Sequence, residues 1–89
     1  SVEIIDNTAF YYCKSITNIT IPNSVTKIGN YAFMGCENLA TVGIGGNVET
    51  IKTQAFADCL NLETAVIADS VTEIAADAFN GCDKLTIYW

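Results

Sequence analysis

The chain has 89 residues, of which 51% are apolar and only 16% charged, enough apolar material for one packed domain and too little charge for a disordered segment. The net charge is −6 with no His, and the basic residues Lys14, Lys27, Lys52 and Lys84 are scattered. This excludes a nucleic-acid partner or an anionic membrane surface, since both need clustered Lys and Arg.

Val2, Val25, Val48 and Val71 lie 23 residues apart, as do Phe10, Phe33, Phe56 and Phe79, and Cys13, Cys36, Cys59 and Cys82. The chain is one domain, residues 1–89, built from four units: 1–23, 24–46, 47–69 and 70–89. A fixed period of this length marks a solenoid, in which each unit buries its apolar face only against the next. Ile5, Ile28, Ile51 and Ile74 form another constant column, and Ile16, Leu39, Leu62 and Leu85 a further one. Their neighbours vary, as Ile4, Lys27, Thr50 and Glu73 do. Columns that stay apolar while others change are core columns.

In chain order, each unit opens on a short extended leg carrying an apolar pair such as Val25 and Ile28. Next comes a turn such as Asn30-Tyr-Ala-Phe33-Met-Gly-Cys36. Phe and Cys at i, i+3 suit one turn of helix with both side chains inward. Asn7, Asn30 and Thr53 are placed to cap that turn, and Gly35 and Gly81 to end it. The unit closes on a strand such as Leu39-Ala-Thr-Val42-Gly-Ile44, where apolar residues alternate with small ones. Stacked units set these strands parallel and in register, about 4.8 Å apart. Strand and helical turn together predict an α/β solenoid.

Leu39-x-x-Val42-x-Ile44, Ser24-Val-Thr-Lys-Ile28-Gly29 and Ala32-Phe33-x-x-Cys36-x-x-Leu39 resemble the leucine-rich repeat family, in its 23-residue treponemal-type or BspA-like class of surface proteins. The resemblance covers the whole chain. It implies a right-handed solenoid with a parallel sheet on the concave face and short helical turns opposite. It also implies adhesion or recognition at a cell surface or outside the cell. Ser24, Asn47 and Ser70 stand where commoner repeats carry a laddering Asn or Cys, so no Asn ladder is expected there.

The cysteines fall in one column, so four sulfurs cannot converge on a zinc ion. A buried thiol ladder is expected, its thiols titratable only after denaturation, with a disulfide between neighbouring units such as Cys13–Cys36 as the alternative. No His stands by as a base for a Cys nucleophile. A shallow sheet also offers no cleft for a carboxylate pair. The turn Gly43-Ile-Gly45-Gly46 lacks dinucleotide spacing, Asp58 and Asp83 lack a calcium-loop pattern, and Asn18-Ile-Thr20 matches a glycosylation sequon by coincidence on a strand. The chain is therefore expected to be non-enzymatic, with no cofactor and no metal.

The most suggestive surface is the outward face of the strands. Counting by 23 puts Asn18, Thr41, Thr64 and Ile87 in one outward column, and Thr20, Gly43, Val66 and Trp89 in the other. Asn18, Thr20, Thr41, Thr64, Val66, Ile87 and Trp89 are the candidate protein-binding residues. The same count puts Tyr88 inward, with Ile19, Val42 and Ala65. A flat, uncharged, hydroxyl-rich sheet suits a protein or extended peptide. The rivals are a structural spacer with no ligand, or an accessory array of a larger enzyme. No apolar run is long enough to span a membrane, and no signal-peptide pattern opens the chain. Uncapped ends read as an excerpt of a longer protein. Large aromatics near both ends, Tyr11, Tyr12, Tyr88 and Trp89, suggest partial covers or self-association through those ends.

Overall fold

The computed structural model describes residues 3–88. Each unit forms one rung with two strands, and corresponding strands of successive rungs pair in parallel. The first legs are β1 (Glu3–Ile5), β3 (Val25–Ile28), β5 (Thr50–Ile51) and β7 (Glu73–Ile74), and they form sheet A in the order β1-β3-β5-β7. The last legs are β2 (Asn18–Thr20), β4 (Thr41–Gly43), β6 (Thr64–Val66) and β8 (Thr86–Tyr88), and they form sheet B in the order β2-β4-β6-β8. The register follows the sequence period: Ile5 pairs with Ile28, Ile28 with Ile51, and Ile51 with Ile74. The apolar pair on the return leg thus grows into a second full sheet.

Among the described residues there is no helix, which corrects the α/β expectation: the chain is a parallel β-solenoid closed on its third leg by a turn. The backbone shows why. Thr8, Tyr31 and Gln54 at one position of the turn, and Tyr12, Gly35, Asp58 and Gly81 four residues on, all have φ between 51° and 83°. That is left-handed backbone, which a right-handed helix cannot pass through. The N–H groups then alternate in direction. Those of Tyr31, Phe33 and Gly35 donate along the stack to the carbonyls of Thr53, Ala55 and Ala57, at 3.0, 2.7 and 2.8 Å. Those of Ala32, Met34 and Cys36 close short turns onto Gly29, Tyr31 and Phe33, at 3.3, 3.2 and 3.3 Å. Half of the donors that a helix would keep for itself instead join one rung to the next.

The expected caps are redirected in the same way. Asn7 Oδ1 accepts the N–H of Asn30 at 2.7 Å, and Asn30 Oδ1 accepts the N–H of Thr53 at 3.1 Å. Each Asn caps the following rung rather than its own turn. A further ladder lies after the Cys column. Asn38 Nδ2 donates to the Lys14 carbonyl and Asn61 Nδ2 to the Glu37 carbonyl, both at 2.8 Å.

The core lies between the sheets and the turn leg. Phe33, Phe56, Leu39, Leu62, Val42, Val48, Ile28, Ile51, Cys36 and Cys59 are fully buried in the middle rungs. Phe10, Phe79, Ile16, Leu85, Ile5, Ile74, Ile19, Val71, Cys13 and Cys82 of the outer rungs are half-buried and pack against them. The Phe rings stack face to face, with centroids 5.0, 5.0 and 5.3 Å apart and interplanar angles of 7°, 2° and 8°. All four cysteines are free thiols. The thiols of Cys36, Cys59 and Cys82 donate to the carbonyls of Phe10, Phe33 and Phe56, at 3.2, 3.2 and 3.0 Å. Those contacts run between rungs, so the Cys column also serves as a connector.

The last rung departs from the 23-residue count. Thr64 pairs with Thr86, Ala65 with Ile87 and Val66 with Tyr88. The Ile67 N–H accordingly donates to the Tyr88 carbonyl, whereas the Ile44 N–H donates to that of Val66. Rung 4 has one residue fewer between its Leu and its strand, because nothing matches Glu63. This corrects two assignments. Ile87 belongs to the inward column with Ile19, Val42 and Ala65, and Tyr88 to the outward one. A slip of one residue exchanges the faces of a strand. Trp89 lies outside the described residues. The register makes a testable prediction: Ile87→Ala should cost about 1 kcal/mol, since Ile87, 38% exposed on the end rung, continues the inward column beside Ala65, and Tyr88→Ala under about 0.5 kcal/mol. Denaturant melts in which Tyr88→Ala costs more would restore the uniform count.

Candidate binding face

Sheet B sets out the candidate face. β-Branched residues are common in its strands, as suits a pleated, half-buried surface. In each strand the middle residue points inward: Val42 and Ala65 are fully buried, and Ile19 in the first rung is half-buried. The flanking residues point out. One outward column runs Asn18, Thr41, Thr64, Thr86, and the other Thr20, Gly43, Val66, Tyr88. Asn18, Thr20, Thr41, Val66, Thr86 and Tyr88 are exposed, while Gly43 and Thr64 are half-buried. Five of the seven residues picked from sequence, namely Asn18, Thr20, Thr41, Thr64 and Val66, therefore share this face. Ile87 does not, and its place is taken by Thr86.

Neither column holds a charge. Three threonines in successive rungs, Thr41, Thr64 and Thr86, form a hydroxyl row at the strand spacing of about 4.8 Å. Val66 and Tyr88 add apolar area beside it. Two shallow, open depressions flank the sheets. The first runs along the corner past Asn23, Ser24, Thr26, Asn47, Glu49, Ser70 and Thr72. The second lies on sheet A, between Thr50, Lys52, Thr53, Glu73 and Ala75. Neither encloses a small molecule.

The titratable groups form no reactive constellation. Burial pushes the Cys36 thiol above its usual range. The neighbouring Cys82 thiol and burial push Cys59 up as well. A raised thiol is a poorer nucleophile. Among the described residues no group of three or more His, Cys, Asp or Glu is arranged to hold a metal ion, and the only ion pair joins Lys14 to Glu37 at 3.9 Å on the surface. Among the described residues no helix is long and apolar enough to cross a membrane.

Sequence reasoning missed two features. One is the Thr86–Tyr88 edge of the face, visible had the strands been aligned on Asn18-Ile, Thr41-Val, Thr64-Ala and Thr86-Ile. The other is the clustering of tyrosines on the turn leg, described below: the sequence marks Tyr11 and Tyr12 as end aromatics but does not join Tyr31 to them.

A family model for the BspA type leucine rich repeat region (6 copies) matches residues 1–88. Among solved structures, the chain is similar to a leucine-rich repeat protein from Bacteroides capillosus, at 32% identity and a TM-score of 0.85, over 99% of this chain and 64% of that one. It is also similar to a leucine rich cell surface protein from Faecalibacterium prausnitzii, at 34% identity and a TM-score of 0.86, over 92% of this chain and 22% of that one. A leucine rich repeat protein of T. pallidum aligns at 29% identity and a TM-score of 0.64, over 94% of this chain and 50% of that one. The chain thus spans from 22% to 64% of the length of these relatives. No curated protein matches.

Proposed function

The chain belongs to the BspA type leucine-rich repeat family, and from that premise we propose that it is a non-enzymatic recognition module of a cell-surface or secreted protein, holding a protein or extended peptide against sheet B. The observation that carries this reading is the outward face of that sheet: uncharged, mostly exposed and continuous through every rung. A stacked face of this kind presents one row of contacts per repeat, so a longer array enlarges the surface without changing its chemistry. The cell-surface relative supports the proposed location. A spacer role is the second reading. It is favoured by the absence of any enclosed pocket among the described residues, the two depressions beside the sheets being shallow and open.

Selection of a displayed random-peptide library on the folded chain tests the face. Enriched peptides should lose at least about tenfold in affinity to a Thr41→Arg/Thr64→Arg variant that melts at the same temperature, because the new guanidiniums block the hydroxyl row. Peptides that bind both proteins equally would move the site elsewhere. No enrichment at all would favour the spacer.

A further inference from the structure

The chain has four tyrosines, and three of them, Tyr11, Tyr12 and Tyr31, lie on the turn leg of the first two rungs rather than on sheet B. They are 48%, 46% and 38% exposed. Tyr11 and Tyr12 form an edge-to-face pair with centroids 4.5 Å apart at 87°. Tyr12 holds φ 56°, left-handed backbone that disfavours a side chain. Its ring lies over Gly35, where an added Cβ would strike the ring carbons. That glycine floor directs the ring along the stack, toward rung 3 and away from the open side of rung 1.

The same corner turns acidic downstream. Asp58 follows Gly35 in the Tyr12 column, while Glu37 and Asp83 stand two positions on in their own rungs. Glu37 already faces Lys14 at 3.9 Å, the only ion pair among the described residues, so Asp58 and Asp83 have no cation within that distance. The Tyr12 phenol is held above its ordinary range chiefly by Tyr11, with the Asp58 and Glu37 carboxylates adding to the rise.

We propose that this corner docks an extended basic peptide segment, with one Lys or Arg side chain against the Tyr11–Tyr12 pair and a second at Asp58. This site is independent of the one on sheet B. Aromatic faces attract cations, and tyrosine is among the residues enriched where binding energy concentrates. From Tyr12 to Asp58 is two rungs, roughly 10 Å at the strand spacing. Alternate residues of an extended peptide lie roughly 6.6 Å apart on one side, and long basic side chains cover the difference. Lys14, beside the tyrosine pair, faces Glu37, so an acidic segment would still meet the two unpaired carboxylates of Asp58 and Asp83.

The test is a titration of the chain with a short blocked peptide carrying lysine at alternate positions, read by backbone amide NMR shifts. Saturable shifts are expected at Tyr11, Tyr12, Gly35 and Asp58, with affinity lowered about threefold in Tyr11→Ala and again in Asp58→Asn. Asp58→Asn keeps a residue that tolerates left-handed backbone, so it stays informative if the tyrosine variant misfolds. Asp69→Asn, away from the corner, should change nothing. The proposal is overturned if the glutamate counterpart binds as well, if Asp69→Asn weakens binding equally, if the shifts map to sheet B, or if no saturable binding is seen.

Discussion

Replacing Phe56 with Ala is expected to lower stability by about 3–5 kcal/mol, and replacing Phe10 with Ala by roughly half as much. The chemistry of the two deletions is identical, so the difference is one of position. Phe56 is fully buried. Its ring is sandwiched between Phe33 at 5.0 Å and Phe79 at 5.3 Å, nearly parallel to both. Phe10 is half-buried and has one stacking partner, Phe33 at 5.0 Å. Each aromatic pair contributes about 0.5–1.5 kcal/mol beyond its buried area. Phe56→Ala removes two such pairs and leaves a cavity between rungs that backbone hydrogen bonds hold at a fixed spacing. Collapse into that cavity is therefore poor, which sets the upper end of the range. Guanidinium melts read both variants. The slope of the Phe56→Ala transition carries further information, because rungs in a solenoid interact only with their neighbours. A shallower slope would mean that the outer rungs now melt apart from each other. Equal losses at Phe10 and Phe56 would contradict nearest-neighbour stacking.

The columns of Phe, Cys, Leu and Ile were legible because a solenoid repeats its core at a fixed interval, and burial acts on each copy alike. Sheet B followed from the same columns, whereas the first leg read only as a short extended piece and forms a full sheet of its own. The turn leg was misread for a physical reason. Phe33 and Cys36 at i, i+3 suit a helix and also suit a three-residue turn, and apolar spacing cannot separate the two. The deciding information lies in backbone sign at Thr8, Tyr31 and Gln54, residues whose identity gives no warning of left-handed φ. Only Gly35 and Gly81 announced it, and both were placed at the end of a helix. The face of sheet B was legible in rungs 1 to 3 through alternation. It failed in rung 4 because counting assumed an uninterrupted period. Chemistry would have corrected it: Ile87 matches a column of Ile, Val and Ala, and Tyr88 does not. The tyrosine corner was harder to see. It depends on Tyr12 leaning over a glycine one rung away, which no local pattern encodes.

The thiols of Cys36 and Cys59 should be protected in the native state by a factor of about a thousand or more, whereas Cys13 and Cys82 should react first. The uniform protection expected from the sequence column does not hold, because Cys13 and Cys82 sit in outer rungs and are half-buried. Cys36 and Cys59 are fully buried and reach reagent only when the stack opens, so their labelling follows the unfolding equilibrium. Mass spectrometry after a timed pulse of a thiol reagent measures this. Uniform rapid labelling would show that the rungs open locally, and a native mass short of the free-thiol value would show disulfides between rungs. The same burial predicts an alkaline limit to stability. Cys36 is raised in the folded chain by burial. The contact between Cys59 and Cys82 raises the first and lowers the second, so that pair opposes itself and the limit rests on Cys36. In the unfolded chain its thiol titrates near about 8.5. Above that pH the unfolded chain has released a proton that the folded chain still holds, so stability falls as pH rises. The contribution is fully present below about pH 8.5 and declines by about 1.4 kcal/mol per pH unit. Melts between about pH 8 and pH 9.5, below the range where tyrosine and lysine dominate, should show that slope. A Cys36→Ala variant should be less stable at neutral pH, yet flatter across the same interval. If the wild-type chain is equally flat there, the Cys36 thiol ionises as readily folded as unfolded, and the ladder is not the dry column that its burial describes.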